Sequence, residues 1–155
     1  MVDEHAISQV VERVIRETAK PDMSLQLAKV LIEKIEEKAK SMGICVVIAV
    51  ADRAARPVAV HCMDDAYIAS FDIAMNKAYT CAGLKMSTVQ LSELSQPGQP
   101  LYGIQHTNQG RIVIFGGGEV LEKNGRLWGA LGVSGGNAQQ DTDLAAYGRE
   151  IFKTL

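Results

Sequence analysis

The sequence has no basic block, no cysteine pair at Cys-x-x-Cys spacing and no apolar run long enough to cross a bilayer. Each absence excludes a class of protein. Sixteen Lys and Arg stand against 18 Asp and Glu, a formal net charge of −2. With no basic stripe interleaved with aromatics, a nucleic-acid partner is not expected. The longest apolar run, Ile44 to Ala51, is far below the roughly 20 residues of a membrane helix, so no membrane partner is expected. A secretory leader is not expected either: Asp3 and Glu4 stand where its basic start would be, and Glu12, Arg13 and Arg16 interrupt the apolar residues that follow. The three cysteines, Cys45, Cys62 and Cys81, are an odd number at wide spacing. They build neither a disulfide framework nor a zinc knuckle, and they are expected to be reduced and buried in a cytoplasmic protein.

Signatures of catalysis are missing as well. Gly129-x-x-Gly132-x-x-Gly135 has neither the spacing nor the strand-turn-helix context of a dinucleotide fingerprint. Val133-Ser134-Gly135 is not a nucleophile elbow, and there is no phosphate-binding loop and no His-x-x-x-His pair. No catalytic residue is nominated, and binding is favoured over an enzymatic role.

What is present is an ordinary globular balance, 47% apolar and 22% charged over 155 residues, enough for one domain with a real core. Residues 1–20 stand apart. Ala6, Ile7, Val10, Val11, Val14 and Ile15 form a helical stripe, and Lys20-Pro21-Asp22 ends it because proline cannot continue a helix. A helix this short is not stable alone and must dock on its own domain or on a partner. A second helix is expected from Ser24 to Met42, ended by Gly43. Ile44–Val50 reads as a strand buried on both faces, and Pro57–Met63 as its return strand. Asp64 and Asp65 offer N-caps for a helix from Ala66 to Ala82, with Lys77 inside its small-residue seam. A helical turn at Ser87–Leu94 and a Pro/Gly loop at 95–110 follow. Arg111–Phe115, Glu119–Glu122 and Arg126–Val133 read as three strands, the last two joined through Asn124-Gly125. Asn137 and Gln140 have capping-box spacing for a final helix. The expected fold of residues 21–155 is therefore α+β and profilin-like: a five-stranded antiparallel sheet with helices packed on it.

Two stretches carry a family resemblance. The first is Arg56-Pro-Val-Ala-Val-His-Cys-Met-Asp-Asp-Ala-Tyr-Ile-Ala-Ser-Phe-Asp-Ile-Ala-Met-Asn-Lys-Ala-Tyr-Thr-Cys-Ala82. The second is Phe115-Gly-Gly-Gly118, Asn124-Gly125, Gly129-Ala-Leu-Gly-Val-Ser-Gly-Gly136 and Asp141. Together they resemble the GlcG/HbpS/PduO C-terminal domain family over nearly everything after residue 23, with Asp65 where the family usually has Gly. The resemblance implies a homo-oligomer, from dimer to octamer, that binds haem, with cobalamin the second choice. The adenosyltransferase activity of PduO proteins belongs to a separate N-terminal domain, for which this chain has no room. Residues 1–20 resemble the encapsulation peptides that carry cargo into bacterial microcompartments, which implies a shell-protein partner and a place in the compartment lumen.

Of three histidines, His5 belongs to the N-terminal helix. His61, beside Cys62 and Met63, and His106, in the polar loop Gln105-His-Thr-Asn-Gln109, are the candidate metal or haem ligands. The helix from Ser24 to Met42 has no histidine to offer. Gly116, Gly117 and Gly118 let backbone approach a ligand or bend a strand sharply. Ser134, Gly135 and Gly136 lead into a helix N-terminus suited to a carboxylate. Lys77 supplies a partner charge for a ligand, snorkels to the edge, or pairs with Asp64 or Asp141. Two other functions stay open: a small enzyme or sensor acting on a 2-hydroxy acid or aldehyde, and a structural cargo or adaptor protein.

Overall fold

The computed structural model describes residues 4–18 and 22–155, without the side chains of residues 16–18. Asp3 and the joint expected at Lys20-Pro21 lie outside the described residues. Helix α1 spans Glu4–Thr18, and its Ile7, Val10, Val11, Val14 and Ile15 are each about half exposed, from 48% to 61%. Among the described residues, none before Met23 belongs to a buried apolar cluster.

Helix α2 (Leu25–Ser41) starts where Ser24 accepts the Leu27 N–H. It buries Ala28, Leu31, Ile32, Ile35 and Ala39. Strand β1 (Val47–Asp52) is buried throughout, because each of its faces meets helices. Ile48 and Val50 join the cluster under α2, while Val47, Ala49 and Ala51 join Ala74 and Ala78 on the other side. Strand β2 (Pro57–Cys62) returns along β1 and begins at a proline, as an edge strand can. Helix α3 (Ser70–Leu84) packs on one face of the sheet. After α4 (Thr88–Leu94) and two 3₁₀ turns (Ile104–His106 and Asn108–Gly110), strands β3 (Gly118–Lys123) and β4 (Arg126–Ser134) form a hairpin. Helix α5 (Ala138–Thr154) joins α2 on the opposite face from α3. Its expected capping box is present, with Asn137 accepting the Gln140 N–H and Gln140 accepting the Asn137 N–H.

The sheet is antiparallel, in the order β2-β1-β4-β3. The five-stranded sheet expected above is thus corrected to four strands, because Arg111–Phe115 pairs with none. Ile112 and Val113 are buried as a strand would bury them, but their backbone is claimed by α3. The Val113 N–H donates to Thr80 Oγ1, which in turn donates to the Asn76 carbonyl.

The expected start of α3 is corrected as well. Asp64 and Asp65 do not cap it; they form a turn in which the Ala66 N–H reaches the Met63 carbonyl, and the helix begins at Ser70. Asp65 sits there at φ 65°, the left-handed conformation that explains glycine at this point of the family pattern. Small residues bring α3 close to β4: a Cβ on Gly132 would collide with the Ala74 carbonyl oxygen. Of the cysteines only Cys81 is buried; Cys45 and Cys62 are exposed, and all three are free.

Candidate functional site: an apolar cleft over a buried ion pair

Where β4 ends and α5 begins, the start of α3 and Phe115 enclose an open cleft of about 330 Å³. Tyr67, Ile73 and Phe115 form its apolar walls, and Ser70, Ser134, Gly136, Ala138 and Asp141 its polar end. Ser70, the first residue of α3, and Ser134, the last of β4, are buried at 3% and 5% exposure and share a 3.1 Å hydrogen bond.

Beneath the cleft lies Lys77, two helical turns beyond Ser70 and completely buried. Its Nζ donates to the Val133 carbonyl at 2.7 Å and to Asp141 Oδ2 at 3.1 Å. The Phe115 ring centre lies 5.0 Å from the ammonium, within cation–π range. Asp141 Oδ1 accepts the Gly136 N–H at 2.8 Å. Burial pushes the Lys77 pKa below its ordinary value, and the Asp141 charge and hydrogen bond oppose that shift. Lys77 therefore does not snorkel to the edge. It braces α3 to β4 and α5, and Asp141 is its partner.

Gly117 and Gly136 pack directly against this pair, and the other glycines make close approaches around it. Gly117, at φ 109°, has no room for a Cβ, which would lie 2.5 Å from Lys77 Nζ; its carbonyl accepts the Val133 N–H. Gly118 lies against Cys81 and Thr88, and Gly116 against Thr142. Gly135 abuts the backbone of Cys45 and Val46, and Gly136 meets Gln140 and Asp141. Burial, with Glu119 nearby, raises the Cys81 thiol far above its usual range, which favours the neutral thiol.

Lys77, Gly116–Gly118 and Ser134–Gly136 thus come together; His61 and His106 do not join them. His61 pairs with Ile48 across the β1–β2 ladder and Ser134 pairs with Val47, so the two side chains leave opposite faces of the sheet. His61 Nδ1 lies 2.7 Å from Glu36 Oε1 on α2, with the imidazole about one-third exposed. Its Nε2 has no partner among the described residues. His106 is exposed in a 3₁₀ turn and does not line the cleft. Among the described residues, no three His, Cys, Asp or Glu side chains are grouped to hold a metal ion, and no helix is long and apolar enough to cross a membrane. Sequence reasoning passed over Tyr67, Phe115 and Glu36. Phe115 had a visible signal, as the aromatic before three glycines. Glu36 had none, because 25 residues separate it from His61.

These features define a small layered α+β domain with an apolar cleft that presents hydroxyl and amide donors. The family model described as "Haem degrading protein HbpS-like" matches residues 23–150, and the chain belongs to this family. Its structure is similar to that of the Klebsiella pneumoniae protein ORFY, with a TM-score of 0.86 and 39% identity over 89% of this chain and 95% of that one. It is similar also to PduOC in its haem complex, with a TM-score of 0.80 and 35% identity over 83% of this chain and 94% of that one. The corrinoid adenosyltransferase PduO of Salmonella typhimurium is 36% identical over 130 residues, which are 84% of this chain but only 39% of that protein.

Proposed function

We propose that the protein binds haem, or second to it a corrinoid such as cobalamin, as an accessory protein and a homo-oligomer, with His61 as the axial ligand. The observation that carries this reading is the His61–Glu36 pair. A ligating histidine characteristically has its other ring nitrogen held by a carboxylate, which fixes the tautomer and raises the basicity of the free nitrogen. Here Glu36 holds Nδ1 at 2.7 Å and leaves Nε2 to a ligand. Val58, Ala59 and Val60 are partly buried on the same strand, and Cys62 and Met63 are adjacent soft donors. The residues present therefore fit a tetrapyrrole, which His61 would hold through Nε2 and whose metal would supply the coordination chemistry. The complex of PduOC with haem supports the choice of ligand.

The homo-oligomer belongs to this proposal because β2 is an edge strand with an open backbone edge, at which a second copy would pair. His106, exposed and without a carboxylate partner among the described residues, is the second candidate. Titration of the purified protein with haemin, read in the visible spectrum, tests the reading. A saturable, stoichiometric Soret band supports it; a response no different from that of an unrelated protein rejects it.

A second reading concerns residues 1–20. The half-exposed apolar stripe of α1 favours an address helix that docks on a microcompartment shell protein and places the protein in the lumen. Pull-down of shell protein with and without residues 1–20 tests it, and equal recovery rejects it.

A further inference from the structure

We propose that the cleft between α3, Phe115 and the start of α5 is a binding site for a small, flat organic carboxylate, separate from the His61 surface. The cleft, at about 330 Å³, lies at the small end of ligand pockets, which run from about 300 to 1,000 Å³. It is too small for a tetrapyrrole and of a size for a single aromatic or short aliphatic acid.

The donor count identifies the ligand's polar group. Ser70 and Ser134 carry two hydroxyl protons, and their mutual hydrogen bond uses one. The other proton has no acceptor among the described residues, although both side chains are more than nine-tenths buried and line the cleft. An unused buried donor costs free energy unless something accepts it.

The adjoining end of α5 adds to this excess. Asn137 takes the N–H of Gln140 with its side chain and that of Asp141 with its carbonyl. The N–H groups of Ala138 and Gln139, at the first two helical positions, have no intrahelical acceptor, and Ala138 lines the cleft. The positive end of the helix dipole reinforces them.

The acceptor count points the same way. Among the described residues, Asp141 is the only carboxylate lining the cleft. Both of its oxygens are occupied, by the Gly136 N–H and by Lys77, which also balances its charge. The polar end therefore offers hydroxyl and amide donors and no uncompensated negative charge. With no free cation there, one delocalised negative charge suits it better than a phosphate dianion. Tyr67, Ile73 and Phe115 then flank the ligand's apolar body.

Benzoate is the probe, with benzamide as its neutral counterpart, read through the amide resonances of Gly135, Gly136, Ala138 and Gln139 in ¹H–¹⁵N spectra. The expected result is a saturable shift of these signals by benzoate. Binding should fall by about tenfold or more with benzamide, and likewise with Ser70→Ala and Ser134→Ala, as loss of a hydrogen bond to a charged group implies. Unfolding midpoints of both variants establish that they are folded, and either folded variant suffices. His61→Ala leaves benzoate binding unchanged, which separates this site from haem binding. Absence of a saturable shift, equal response to benzamide, or undiminished binding in a folded serine variant overturns the proposal.

Discussion

Lys77 heads the fully buried side chains by volume, and its ammonium is held by a backbone carbonyl, a carboxylate and an aromatic face. Replacing one member of such a pair leaves the other charge buried and uncompensated. Lys77→Met is therefore expected to cost about 3–5 kcal/mol in urea unfolding, and Lys77→Met/Asp141→Leu less than the sum of the two single changes. Asp52 is a second residue with a calculable role. Burial pushes its pKa up, but the N–H groups of Arg56 and Ala54 and the Arg56 guanidinium outweigh burial and hold it below the ordinary 3.8. The folded state thus favours the ionised form. Its contribution is fully present above the unfolded value and is lost as the pH falls through the lower folded value. Asp52→Asn should make the unfolding free energy less steep across that acid range. At this scale the sequence placed Lys77 inside the α3 seam and named Asp141 as one of two partners. It could not choose, because Asp64 is near in the chain while Asp141 becomes a neighbour only through the β4–α5 connection.

Elements with their own local chemistry were legible. Ser24, Asn137 and Gln140 announce helix starts, and Asn124-Gly125 closes the β3–β4 hairpin with both residues at positive φ. Elements decided by a distant competitor were not. Arg111–Phe115 has the composition of a strand, but Thr80 on α3 takes the Val113 N–H that a ladder would have used. Apolar pattern reports burial, not the partner of the backbone. Thr80→Val keeps the side-chain volume and removes that acceptor, so a loss of about 1–3 kcal/mol in unfolding free energy is expected. Amide exchange at Val113 should accelerate with it. The Asp64-Asp65 pair misleads for a related reason: capping residues are also turn residues, and here the left-handed Asp65 sits inside a turn, five residues before α3 begins.

At the scale of the molecule, the sheet separates two surfaces. On the α3 side, a brace of Lys77, Asp141 and close-packed glycines supports a small cleft with spare donors. On the α2 side, Glu36 orients His61 at the edge strand. The family was legible from the motifs around both surfaces. The division between them was not, because it depends on which face of β1 each partner strand shares, a matter of register rather than composition. The most direct test of the account is the haemin titration repeated on His61→Ala, Glu36→Gln and His106→Ala. The account predicts that the Soret band is lost in His61→Ala, weakened in Glu36→Gln and retained in His106→Ala. A band retained in His61→Ala and lost in His106→Ala would contradict it and move the ligand to the 3₁₀ turn.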